Sequence, residues 1–249
     1  MCSLKNMERF YRQWVKTDDF IKTHISIEQT DLDIFTDKPL NRIWLRERIL
    51  SYRQDIQTYI TKDKRFLTAI KPITTELNAP NIIKQMTQAS KVANVGPMAA
   101  VAGAIAQLLC EDLLSKGCTE VIIENGGDIS MSKQKKNRLV AVFAGGSKFS
   151  GKFTLLIKPT QTPCGICTSS ATLGHSLSLG NADSVVILAK EAALADAVAT
   201  ATCNLVKSRH DFNKAVEFAR NILGVFGVLI ILGNSFVSWG GIEIKRFLK

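Results

Sequence analysis

The stretch 184–206, SVVILAKEAALADAVATATCNLV, decides how this sequence folds. Its first six residues are mainly apolar and rich in β-branched side chains, which predicts a buried strand over Ser184–Ala189. The next residues are mostly alanine, the strongest helix former, and they predict a helix over residues 191–206. A strand that runs directly into a helix of small side chains favours a fold in which helices pack closely on a sheet.

Comparable strands and helices flank this stretch. Residues 24–35 alternate between apolar and polar side chains, which predicts a hairpin. Pro39, Pro80 and Pro97 each stand where a helix can begin, because a first turn tolerates proline. Further strands are predicted at 66–73, 120–124, 129–131, 139–143, 153–157, 225–232 and 242–247, and a further helix at 211–223.

Each half of the chain therefore offers paired strands, two helices and paired strands. This order predicts an α+β fold with a T-fold-like duplicated ββααββ arrangement, in which helices pack on antiparallel sheets. We expect a single domain over residues 1–249, made of two similar halves at roughly 24–135 and 136–249.

Composition narrows the class of protein. The 249 residues are 46% hydrophobic and 22% charged, which excludes a collagenous, mucin-like or wholly disordered chain. A net charge of +10 favours anionic partners such as phosphates, nucleotides, nucleic acid or an acidic membrane surface. The apolar stretch 222–237 is sixteen residues long and broken by three glycines, so we expect no membrane span. We expect no signal peptide, because residues 1–22 are charged and aromatic, and the placement of the six cysteines favours a reducing cytoplasm.

The helix predicted from Pro97 carries a face of very small side chains. Ala99, Ala102, Gly103 and Ala106 recur at i, i+3, i+4 and i+7. Such a face can approach another backbone, or a ligand, unusually closely.

Asp196 and Thr200 are four residues apart in the second alanine-rich helix and so share one face. Both offer oxygen ligands, and Mg²⁺ is commonly held by one or two such groups together with substrate phosphates. The sequence therefore predicts a metal site here. The alternative is structural: Asp196 pairs with a nearby cation, and the Thr200 hydroxyl bonds back to a carbonyl.

Two further segments suit a nucleotide. Thr168, Ser169 and Ser170 lie in a predicted glycine-bounded loop whose hydroxyl and amide groups could hold an anion, and His175 in the same loop could serve as general acid or base. The other interpretation is a solvated loop histidine. In the segment ENGGD at 124–128, the paired glycines would let a flat ligand or a phosphate lie against the backbone, although a plain hairpin turn has the same pattern.

Three other patterns are set aside. The segment 146–152 nearly matches a phosphate-binding loop, but Phe153 replaces the hydroxyl residue that would hold magnesium. Cys164 and Cys167 have redox or zinc spacing without a second pair, so we interpret them as ordinary thiols. The lysine-rich segment 133–138 is interpreted as a solvated hairpin tip.

In their order along the chain, these pieces resemble the ApbE-like family, which comprises flavin transferases and cytoplasmic relatives. The resemblance covers about residues 96–206 and is carried mainly by Gly126-Gly127-Asp128 and by the ADAVAT segment around Asp196. It implies a T-fold arrangement around a flavin cleft. It further implies that Mg²⁺ is held by Asp196, Thr200 and a backbone carbonyl near Val101. His175 would assist at the phosphate, and Gly126, Gly127 and Asp128 would line the flavin site.

The resemblance implies an activity as well. Family members split the pyrophosphate of FAD and pass FMN to a threonine of an acceptor protein or to water. This chain departs from their pattern, because Ala102 precedes Gly103 where the transferases carry lysine. A non-catalytic flavin or nucleotide binder is therefore the second hypothesis. A basic RNA-binding protein is the third, ranked last because no stacking-aromatic signature accompanies the lysines. The sequence does not identify the acceptor protein, and it leaves open whether the protein forms a homo-oligomer.

Overall fold

The computed structural model describes residues 19–171 and 179–246. Its strands are β1 (Ile21–Ile27), β2 (Thr30–Thr36), β3 (Val121–Asn125), β4 (Asp128–Met131), β5 (Arg138–Val142), β6 (Phe153–Ile157), β7 (Cys164–Ser169), β8 (Ser184–Ala189), β9 (Val225–Leu232), β10 (Ser235–Gly240) and β11 (Ile244–Arg246). Its helices are α1 (Arg42–Lys62), α2 (Arg65–Thr68), α3 (Asn81–Ala93), α4 (Val101–Ser115), α5 (Ala192–Leu205) and α6 (Phe212–Arg220). A 3₁₀ turn at Pro97–Ala100 leads into α4.

The strands form two antiparallel sheets. The large sheet has the order β1-β2-β3-β4-β7-β8-β9-β10, and β11-β6-β5 form a separate three-stranded sheet. The first four strands of the large sheet precede the last four in the chain, and each set is interrupted after its second strand by helices. The predicted α+β class, with antiparallel sheets and packed helices, is confirmed.

Side-chain alternation gives the large sheet two apolar faces. Val121, Ile123 and Ile187 point toward the helices and belong to the main core with α3, α4 and α5. Ile122 and Leu188 point the other way and pack against apolar residues of the three-stranded sheet. Because both faces are covered, the central strands are nearly free of exposed side chains, which explains the continuous apolar runs in β8 and β9.

Two local predictions are wrong, and one strand was not predicted. Residues 66–73 form no strand: α2 begins the segment, and Phe66 is fully buried with its ring edge-on to Tyr59. The segment around Gly165 is the strand β7 rather than a loop. Here glycine is required by packing, because a Cβ at Gly165 would lie 2.3 Å from the Cα of Ala192. The strand β10 was not predicted, since its sequence contains serine and glycine and shows no clear alternation of apolar and polar residues.

The helical segment Pro97–Ser115 is long and apolar enough to cross a membrane by length and composition alone. In the structure, half of its most apolar window is buried inside the protein, and α4 packs against α5, β3 and β4. The apolar stretch 222–237 forms the hairpin of β9 and β10 instead of a helix.

Candidate functional site

Helices α4 and α5 meet with their backbones almost in contact. A Cβ added to Gly103 would lie 2.3 Å from the carbonyl oxygen of Ala192 and 2.9 Å from the Cβ of Asp196. Real side chains do not approach so closely, so only glycine fits at this position. The predicted close approach of the small-residue face to another backbone is therefore confirmed.

Asp196 reaches from α5 to the start of α4. Its Oδ2 atom accepts a hydrogen bond of 2.9 Å from the amide of Gly103, and the amide of Ala102 also donates to it. The residue that precedes α4, Ala100, has no side chain able to cap the helix. Asp196 therefore satisfies amides that have no partner within the helix, and its negative charge is favourable there.

A second acidic residue lies close to Asp196. Burial, followed by the negative charge of Asp128, raises the pKa of Asp196 well above its usual value, although the two amides oppose this effect. Burial and both of these charges also raise the pKa of the Cys167 thiol, which contacts Asp128 and donates to the carbonyl of Ala192. The carboxyl groups of β4 and α5 thus share one buried environment.

Thr200 follows Asp196 by one helical turn and is 6% exposed, against 7% for Asp196. In the described part of the chain, no lysine or arginine forms an ion pair with Asp196, so the cation partner of the structural alternative is not found there. The same part of the chain contains no cluster of three or more histidine, cysteine or acidic side chains arranged for a metal. A cation here would depend on a mixed set of carboxylate, hydroxyl and carbonyl oxygens, which suits Mg²⁺.

The turn between β3 and β4 leads directly into Asp128. Gly126 and Gly127 have φ values of 69° and 106°, so their conformation favours glycine, as in a tight hairpin. The amide of Gly127 donates to Oε1 of Glu124 at 2.7 Å. Oδ1 of Asp128 accepts from the amide of Thr168 at 3.2 Å, so the turn is joined to the end of β7.

The three hydroxyl residues do not form the predicted loop. Thr168 and Ser169 are the last residues of β7, and Ser170 follows them. Alternation along the strand places Ser169 on the face of Cys167, toward the helices, and Thr168 on the opposite face. Ser169 is 6% exposed, and its Oγ atom has no hydrogen-bond partner among the described residues. Of the three, Ser169 is the hydroxyl directed to the side of Asp196.

The remaining predicted residues are less informative. Val101 is the first residue of α4 and is half-buried. His175 lies outside the described residues, in the segment 172–178. Cys164 and Cys167 are free thiols whose side chains belong to opposite faces of β7.

Sequence reasoning missed two contributors to this region. Asn125 donates from Nδ2 to the carbonyl of Ala102 at 3.1 Å, and the Oε1 atom of Gln107 accepts from the amide of Ala193 at 3.2 Å. Asn125 stood within the quoted turn, but nothing in the sequence indicated its partner. Gln107 gave no signal, because its bond depends on how two helices pack.

A comparison with protein families identifies the chain. The family model described as "AbpE bacteria" matches residues 12–220. The chain belongs to the AbpE bacteria family. The resemblance to ApbE-like proteins expected from the sequence is thereby confirmed. A UPF0280 protein of Methanococcus maripaludis strain C7 is 39% identical to this protein over 92% of the chain and 94% of its own length. A UPF0280 protein of Methanocaldococcus jannaschii is 40% identical over 86% of the chain and 88% of its own length.

Solved structures share the fold of the family member. The apo flavinyl transferase ApbE of Pseudomonas stutzeri matches with a TM-score of 0.59 and 12% identity, over 89% of this chain and 94% of that one. The flavin transferase ApbE of Vibrio cholerae matches with a TM-score of 0.59 and 14% identity, over 89% of this chain and 97% of that one. At this level of identity the likeness concerns the fold.

Proposed function

We propose that this protein is a Mg²⁺-dependent enzyme acting on FAD or a related flavin nucleotide. The observation that carries the proposal is the buried carboxylate of Asp196, which lies beside Asp128 and next to the glycine turn of β3 and β4. Two acidic groups in one buried environment, with no basic partner to Asp196 among the described residues, would be stabilised by a bound cation.

The comparisons support the flavin part of the proposal. The family match covers most of the chain, and the structures that share its fold are named as flavin transferases. The glycines at 126 and 127 leave the backbone of the turn without Cβ atoms, so a planar ring or a phosphate could lie against it. The net charge of +10 would favour the approach of an anionic nucleotide.

The donor atoms near Asp196 fit a magnesium ion. Asp196, Thr200 and a carbonyl near Val101 would hold it, and Ser169 offers a buried hydroxyl oxygen without a partner in residues 19–171 and 179–246. When bound, Mg²⁺ would neutralise charge on the pyrophosphate and make its phosphorus more electrophilic. We propose that His175 assists at the phosphate as general acid or base.

Either FMN transfer to a threonine of an acceptor protein or hydrolysis of the FAD pyrophosphate fits this proposal. The alternative is a flavin binder without catalysis. Ala102 favours this alternative. It directly precedes Gly103, whose amide bonds to Asp196, and the transferases carry a charged lysine at this position. We also propose that the fold is a T-fold duplication and that the protein is cytoplasmic.

Isothermal titration of FAD with and without Mg²⁺ tests the proposal, using wild type and Asp196→Asn. We expect Mg²⁺ to increase the affinity of wild type at least tenfold and to have no effect on the variant. Asp183→Asn is a matched control, because Asp183 also accepts a backbone amide, that of Gly233 at 2.6 Å. Equal affinity under all conditions would refute the metal site. Formation of FMN and AMP would distinguish the enzyme from the binder, and salt-sensitive RNA retention without FAD binding would favour the third hypothesis.

A further inference from the structure

One peptide group at the start of α4 is held from both sides. The carbonyl of Ala102 accepts a bond of 3.1 Å from Nδ2 of Asn125, and the amide of Gly103 donates a bond of 2.9 Å to Oδ2 of Asp196. These two backbone groups belong to the same planar peptide unit. Its helical orientation is therefore reinforced by a side chain from β3 and a side chain from α5.

The residue that precedes α4 does not cap this turn. Ala100 supplies no capping bond, and Gly103 has no Cβ that could wedge the peptide in place. The Ala192 carbonyl occupies the space that a side chain at position 103 would need. Without the Asn125 bond, only the helical bonds of α4 and the bond to Asp196 would hold this peptide, so the direction of the Gly103 amide toward Asp196 would be less well defined.

We propose that Asn125 is a positioning residue for the cation site. It orients the Ala102–Gly103 peptide so that the Gly103 amide holds the Asp196 carboxylate in the orientation that would bind a cation. This inference rests on the proposed function. Asn125 is 5% exposed, and its amide donates to a carbonyl without adding a third charge beside Asp128 and Asp196, which an aspartate would do.

Two variants test the role of the donor. Asn125→Leu keeps a side chain of similar size, and Asn125→Asp keeps the shape, but neither donates a hydrogen bond at neutral pH. Gln134→Leu is the matched control, because Gln134 is also buried and donates from Nε2 to a backbone carbonyl, that of Ser132 at 3.0 Å.

The first measurement needs no ligand. Hydrogen exchange of the Gly103 amide, followed by NMR in metal-free protein, should become about tenfold faster in both Asn125 variants, the effect of one lost hydrogen bond. The control should show no change at Gly103. Unchanged exchange of Gly103 in the two variants would overturn the inference.

The second measurement is the titration of FAD in the presence of Mg²⁺. We expect Asn125→Leu to lose at least tenfold in affinity while its affinity without Mg²⁺ equals that of wild type, and Gln134→Leu to bind normally. Normal binding by Asn125→Leu would overturn the inference and leave the proposed function intact. If wild type itself shows no effect of Mg²⁺, the proposed function fails, and the role of Asn125 toward a cation fails with it.

Discussion

The Oδ2 atom of Asp196 lies 2.9 Å from the backbone nitrogen of Gly103, so a side chain of α5 caps α4. The reverse also holds, because Gln107 of α4 accepts from the amide of Ala193 in the first turn of α5. The two helices therefore cap each other at the point where their backbones touch. This arrangement fixes the position of the acidic pair relative to the turn of β3 and β4.

The capping role predicts different effects for two substitutions at Asp196 in metal-free protein. Asp196→Ala removes the acceptor, so the free energy of unfolding should fall by about 1 kcal/mol. Asp196→Asn keeps an oxygen for the Gly103 amide and cannot ionise beside Asp128, so stability should be equal to or above that of wild type. Urea unfolding at neutral pH measures both. Equal losses in the two variants would contradict a cap that coexists with electrostatic repulsion.

The raised pKa of Asp196 predicts a pH dependence. The folded protein holds the proton of this carboxyl more tightly than the unfolded chain does, so ionisation destabilises the fold. The stabilising contribution of the protonated carboxyl is complete below the usual pKa of 3.8 and is lost as pH rises toward the folded value. Relative to that of Asp196→Asn, the unfolding free energy of wild type should therefore decrease as pH rises over this range. A difference that is constant with pH would contradict the raised pKa.

Gly103→Ala should destabilise the protein although alanine is the better helix former. The new Cβ would lie 2.3 Å from the Ala192 carbonyl oxygen, so α4 and α5 must separate. We expect a loss of about 1–3 kcal/mol, the usual cost of overpacking, in thermal or urea unfolding. Gly146→Ala is the control, because no atom lies within 4 Å of its added Cβ. A stable Gly103→Ala variant would show that the helix contact is looser than described.

The sequence predicted most elements because their signals are local. The apolar run of β8 and the alanine-rich α5 are evident without tertiary information, and Asp196 and Thr200 share a face by helical period. β7 was missed because glycine at 165 and hydroxyls at its end are typical of loops. Its identity as a strand depends on α5 lying directly on it, which is a tertiary relationship.

The site was predictable only in part for the same reason. Asp128 and Asp196 could be named as candidates, but their proximity follows from the packing of α5 on the sheet. The bond of Asn125 to Ala102 connects residues that are 23 positions apart, and no residue pattern indicates it. Long-range hydrogen bonds of this kind cannot be inferred from periodicity.

The buried thiols give the last prediction. Burial raises the pKa of Cys110 and of Cys164 to about 12 and that of Cys167 well above its usual value. Because the thiolate is the reactive form, these three cysteines should remain unmodified by iodoacetamide at about pH 8 in the native protein. Mass spectrometry of the peptides should show full modification once the protein is unfolded in urea. Rapid native labelling of Cys167, or a disulfide between Cys164 and Cys167, would contradict their placement on opposite faces of β7 and would reopen a redox role for this pair.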